Sequence, residues 1–172
     1  MNTHQEILAK SERNGHICLF HHLKNVADIA EVVSEHTGLD KQIAIEGALL
    51  HDIGKASPLF QKSLAPSYKK KPGFVFRHEI ASLFFLSLVN EGHRDAIIDM
   101  VVAHHKSMYK DVRELGILDL DDNTDCFEEH SKGFDEWSPI ALDILESLGI
   151  KTHKISLDEY IYYKYIQRHS DF

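Results

Sequence analysis

Cysteine is scarce in this chain of 172 residues: Cys18 and Cys126 are the two copies. Two thiols cannot make a disulfide framework, and they suit a reducing compartment. Long apolar runs are missing too, so nothing reaches the length of a membrane span, and the N-terminus lacks a signal peptide's apolar core. A cytoplasmic protein is the expectation. Excess positive charge is also absent. The net charge of −8 argues against nucleic-acid binding by bulk electrostatics, although it leaves room for a nuclease whose metals and a local basic patch meet the phosphates. There is no low-complexity tract, no internal repeat, and no Gly-x-x-x-x-Gly-Lys-Ser/Thr phosphate loop. Strand signals are nearly lacking.

What is present is helical periodicity, in a chain of the size of one domain. Residues 4–13 read as a short helix. From Phe20 to His36, Leu23, Val26, Ala27, Ala30 and Val33 recur at helical spacing, and Gly38 ends that helix. Asp40 is the expected N-cap of the next, which carries Ile43, Ala44, Gly47, Ala48 and Leu50. Ser57-Pro58 opens a short helix. Residues 65–73 read as a loop with Lys69, Lys70 and Lys71 at its centre, either a solvated turn or a phosphate-contacting loop. His78 opens an apolar helix that runs to Gly92, and another from Arg94 ends in His104-His105. From Met108 to Trp137 the sequence is acidic and irregular. It fails as a calcium loop, because Thr124 stands at the sharp-turn glycine and His130 at the bidentate Glu. Ser138-Pro139 reads as a further helix start, and residues 157–169 as an aromatic amphipathic helix. The fold expected is all-α, a compact single-domain bundle of about seven helices over residues 1–172.

Thirteen histidines are the compositional anomaly. Any one of them could cap a carbonyl or lie on the surface. His22, His51, His78, His104 and His105, however, sit at helix ends or on apolar helices, where a buried imidazole must find partners. Together with Asp52 they are best explained by a shared metal site, since imidazole and carboxylate suit divalent first-row ions. Two metals roughly 3.5–4 Å apart need a bridge, and Asp52, with two oxygens, suits it. Gly54 is expected to release the chain from the helix in a left-handed conformation, and Lys55 to place a cation beside the bound substrate.

In order and spacing, His22, then His51-Asp52, then His78, then His104-His105 resembles the HD superfamily of metal-dependent phosphohydrolases. The stretches His22-Leu23-Lys24-Asn25-Val26-Ala27, His51-Asp52-Ile53-Gly54-Lys55-Ala56-Ser57 with Phe60-Gln61, and His78-Glu79 look like the HD nuclease domain of the CRISPR-associated type I helicase-nuclease. The resemblance covers residues 16–106. It implies one metal held by His22, His51, Asp52 and a late Asp, and a second held by Asp52, His78, His104 and His105. Asp171 is the favoured late Asp, with Asp143 and Asp158 as alternatives. His21 competes with His22, and the spacing to Val26-Ala27 selects His22.

The resemblance further implies Lys55 neutralising the scissile phosphate and a metal-activated water as nucleophile. The metals would be two divalent transition ions (Mn, Ni, Co or Fe, with Mg or Zn open). The substrate would be single-stranded DNA, and the partners a helicase domain or subunit and the CRISPR RNA-guided surveillance complex, with no membrane. The chain would be a separate nuclease subunit or, preferably, a domain of a longer helicase-nuclease. The alternatives are an HD phosphohydrolase acting on a nucleotide or cyclic nucleotide, and a non-catalytic HD regulatory module.

Overall fold

The computed structural model describes residues 7–69, 76–104 and 127–157, and these are all-helical. Among them are seven α-helices: α1 (Leu19–Thr37), α2 (Lys41–Leu50), α3 (Pro58–Ser63), α4 (His78–Ser82), α5 (Arg94–Ala103), α6 (Phe127–Ser131) and α7 (Phe134–Ser147). No helix among the described residues is long and apolar enough to cross a membrane.

Local chemistry sets the first boundaries as the sequence suggests. α1 buries Leu19, Leu23 and Ala27 along one stripe and stops where Gly38 takes a left-handed φ of 73°. The Asp40 carboxylate accepts from the Ile43 N–H at 3.0 Å and starts α2. Ser57 caps α3 through its hydroxyl, with Pro58 in the first turn. α2 packs against both α1 and α5. The core beneath them includes Leu50, Ile53, Ile80, Phe85, Ile97, Ile98, Trp137, Ile144 and Leu145, all fully buried.

Four expectations change. Residues 7–13 do not form an α-helix; a single 3-10 turn occupies Glu12–Asn14. The backbone of this arm is paired elsewhere: Ala9 N–H donates to Ile17 and Leu19 N–H to Ile7, which makes the isolated bridge between Leu8 and Cys18. The helix opened by His78 stops at Ser82. The chain then tightens to 3-10 winding over Leu83–Leu88, extends at Val89 and makes another 3-10 turn at Glu91–His93. Leu83, Phe84, Phe85 and Leu86 are buried in succession, so no one-sided stripe holds this segment to α-helical winding. The helix expected to start at Ser138-Pro139 begins at Phe134. Phe134 packs edge-on against Phe84, and Trp137 lies 5.7 Å from Phe85 between centroids. That aromatic packing pulls the helix start upstream, leaving Pro139 inside α7 without a bond to the Asp135 carbonyl. α6 likewise puts regular structure in the stretch read as irregular. The helix expected over residues 157–169 lies outside the described residues beyond Leu157.

Gly54 is a further correction. Its φ is not positive; it sits in a buried 3-10 turn, Ile53–Ala56, that directly follows Asp52. What it supplies is room. A Cβ there would lie 2.1 Å from the His78 carbonyl oxygen and 2.8 Å from the Ser82 nitrogen. The missing side chain lets the start of α4 rest on the turn, where the Gly54 N–H donates to Ser82 Oγ at 2.9 Å and that hydroxyl donates to the His51 carbonyl at 3.2 Å. A Gly54→Ala substitution should therefore force α4 away and cost about 1–3 kcal/mol. Denaturant titration checks the loss; a midpoint equal to wild type would show that the seam tolerates a methyl group.

Candidate metal centre

Asp52 is 2 % exposed. It follows the last residues of α2 with φ −121° and ψ 4°, outside helical geometry. This break in the winding brings neighbouring side chains together: His51 Nε2 lies 3.2 Å from Asp52 Oδ2. From α1, His22 Nε2 reaches the same oxygen at 2.7 Å. The other oxygen, Oδ1, faces His78 Nε2 from the first residue of α4 at 2.9 Å and His104 Nε2 from the end of α5 at 3.3 Å. The imidazoles touch in series, with centroids of 5.3 Å for His22 and His51, 5.1 Å for His51 and His104, and 5.6 Å for His104 and His78. Two groups with metal-ligand spacing result, His22-His51-Asp52 and Asp52-His78-His104, joined at the carboxylate.

The backbone decides which imidazole nitrogens face the carboxylate empty-handed. His51 Nδ1 lies 2.6 Å from the Ala48 carbonyl and His104 Nδ1 2.5 Å from that of Val101. A carbonyl only accepts, so each Nδ1 carries the hydrogen, and in the neutral ring Nε2 presents a lone pair to Asp52. Lone pairs facing a carboxylate repel unless a proton or a cation stands between them. The same tension shows in the titration of both partners. Burial alone would raise the Asp52 pKa, yet His104, His22, His51 and His78 hold it far below the usual carboxylate range. Burial opposes charging His104, but Asp52 and the Val101 carbonyl push its pKa above the ordinary imidazole value. Asp52 Oδ1, although buried, finds no hydrogen bond. A set of imidazole nitrogens and one carboxylate with an unsatisfied oxygen fits a divalent first-row cation.

Lys55 is 7 % exposed and donates from Nζ to Asp52 Oδ2 at 2.6 Å, with the Phe60 ring 5.5 Å away. It is thus a buried ion pair rather than a surface one, next to the ligands. Gln61 secures the turn that carries it: Nε2 donates to the carbonyls of Lys55 at 2.6 Å and Leu8 at 2.9 Å, and Oε1 accepts from Leu8 N–H at 3.1 Å. Of the adjacent pair, His22 reaches Asp52, whereas His21 is exposed and meets Cys18 Sγ at 3.0 Å. His16 and His36 are exposed, as is Lys69. Asp143 is exposed on α7 and belongs to neither ligand group. His105, Asp171, Asp158, Lys70 and Lys71 lie outside the described residues.

Sequence reasoning missed the supports. Ser82, which ties α4 to the turn, carries no signal at all. Glu79 is buried beside His78, with Oε2 3.6 Å from His78 Nδ1 and Oε1 accepting from Arg77 Nε at 2.8 Å. Burial would raise its pKa, but the charges of His78 and Arg77 keep it below the usual range. Its one signal was its place directly after His78. His130 is fully buried on α6, in a stretch that the sequence marks as acidic and irregular.

A family model described as HD domain matches residues 19–126, which span all five of these central side chains, His22, His51, Asp52, His78 and His104. No curated protein and no solved structure matches the chain.

Asp52→Ala removes the carboxylate common to both groups, so metal analysis of the purified variant should find neither site filled. Full occupancy would refute the bridging role. In protein stripped by chelator, the raised His104 pKa has a definite sign. Its stabilisation is complete below the ordinary imidazole value of about 6.5 and fades as pH rises through the raised folded value. Melting curves of wild type and His104→Gln should therefore converge as pH rises above that ordinary value; a constant gap would show that His104 is not charged against Asp52.

Proposed function

The chain belongs to the HD domain family, and on that premise we propose that it cleaves single-stranded DNA as the nuclease part of a CRISPR type I helicase-nuclease. At the family level it is a metal-dependent hydrolase. The sharing of one buried carboxylate by two ligand groups supports the hydrolase, and the finer reading rests on the resemblance carried by Lys55 and Phe60-Gln61 and on the lysine run. When bound, two divalent ions would supply Lewis acidity at a phosphoryl oxygen and a hydroxide near neutral pH.

The chain's own residues divide the remaining work. Asp52 would be common to both ligand sets, with His22 and His51 holding one ion and His78 and His104 the other. His51 and His104 are locked by carbonyls into the tautomer that ligation needs. Lys55 holds an ammonium against Asp52, from where it can turn to neutralise a phosphate oxygen. His105 and Asp171 would complete the two ligand sets. A polymer substrate is supported by the placement of the cluster: the side chains of His22, His51 and His104 are 18, 12 and 18 % exposed, so the imidazoles come to the surface. The Lys69–Lys71 run would contact the strand beside it, and a helicase and the RNA-guided surveillance complex would deliver that strand.

The test offers manganese- or nickel-loaded protein circular single-stranded DNA alongside a panel of nucleotides and cyclic nucleotides. Cleavage of the circle is the expected outcome. Nucleotide hydrolysis with intact DNA would replace the reading with a nucleotide phosphohydrolase, and absence of both metal and hydrolysis would make the domain a non-catalytic module. Lys55→Ala should keep its metal and cleave about 100-fold more slowly; an unchanged rate would remove Lys55 from the chemistry.

A further inference from the structure

His78 differs from His51 and His104 in how it is held. His51 and His104 each bond the carbonyl three residues earlier on their own helix. His78 is the first residue of α4, a helix of five residues whose N-cap, Arg77, makes no side-chain cap. Such an entry is weakly specified by its own winding. On one side, the turn at Gly54 presses against the His78 carbonyl. On the other side stands His130. It is 0 % exposed, and its Nε2 accepts from the Arg77 backbone N–H at 3.0 Å. An N–H can only donate, so this Nε2 carries a lone pair and is fixed as an acceptor. The same ring stacks on Phe76, with centroids 5.2 Å apart and an interplanar angle of 28°. His130 thus grips both residues that lead into His78.

We infer that His130 is a positioning residue for His78, holding the peptide that starts α4 so that the His78 imidazole faces Asp52. It lies past residue 126, beyond the span matched by the family model, and 53 residues from its partner in sequence. α6, on which it sits, packs directly on α4. An element outside the family match therefore sets the aim of a ligand within it. Without the acceptor, the half-buried Arg77 N–H loses the bond that fixes its peptide, and the first turn of α4 is free to rotate. His78 Nε2, now 2.9 Å from Asp52 Oδ1, moves with that turn.

The inference rests on the metal reading of the cluster, and the experiment separates the two. Manganese or cobalt titrations are run on the full chain as wild type, His78→Ala, His130→Phe and His130→Gln, with melting curves in parallel. Phe keeps the stack on Phe76 and loses the acceptor; Gln places an amide oxygen near the position of Nε2. His130→Phe should weaken one of the two binding events about 10- to 100-fold and leave the other unchanged. His130→Gln should recover most of that loss. Adding His130→Phe to His78→Ala should weaken metal binding no further, because both act through one ligand. Binding in His130→Phe equal to wild type, with only the melting temperature lowered, overturns the positioning role. A His78→Ala variant that binds both ions as wild type does overturns the metal reading and the inference with it.

Discussion

A carboxylate buried in a helical core must be neutralised, because an isolated charge there would cost far more than the fold's whole margin of stability. Asp52 has one ammonium against it and four imidazoles around it, all reaching its two oxygens within 3.3 Å. The helices can be understood as the means of bringing these groups in. α1 delivers His22, the end of α2 delivers His51 and Asp52 itself, α4 begins on His78, and α5 ends on His104. Because the imidazole nitrogens that face Asp52 are the lone-pair side of at least two rings, the arrangement is one that a cation completes.

The framework around the carboxylate is held by hydrogen bonds between side chains and backbone as well as by packing. Gly54 lets α4 lie on the turn, Ser82 bonds across that seam, and Gln61 fastens the N-terminal arm to the carbonyl of Lys55. Each of these ties joins segments far apart in sequence. A site built this way can hold ligands from four helices at hydrogen-bond distance with a short central turn, since that turn and the start of α4 are braced from outside it.

Membership of the HD domain family and the geometry of the cluster agree on a metal-dependent hydrolase. The step from there to single-stranded DNA draws on the wider motif: Lys55, Phe60-Gln61 and the lysine run. Two of those features have a visible role beside the site. Lys55 pairs with Asp52, and Gln61 braces the backbone that carries it. The third is represented by Lys69, which is exposed.

Histidine positions and helical periodicity are local properties, and the sequence by itself determined them. The pattern marked His22, His51, His78, His104 and His105 as residues at helix ends or on apolar helices, and capping chemistry at Gly38, Asp40 and Ser57 marked where helices stop and start. Contacts across long loops were decided by tertiary structure. Gly54 looked like a helix terminator and is a contact point, because only the approach of α4 shows what its missing Cβ makes room for. Pro139 looked like a helix start and lies inside one, because Phe134 and Trp137 bury against Phe84 and Phe85. His130 looked like a loop residue in an acidic stretch and is a buried acceptor for the peptide that enters α4. A periodic pattern records which face of a helix is apolar; which distant backbone that face will meet is set by packing, and no run of neighbouring residues encodes it.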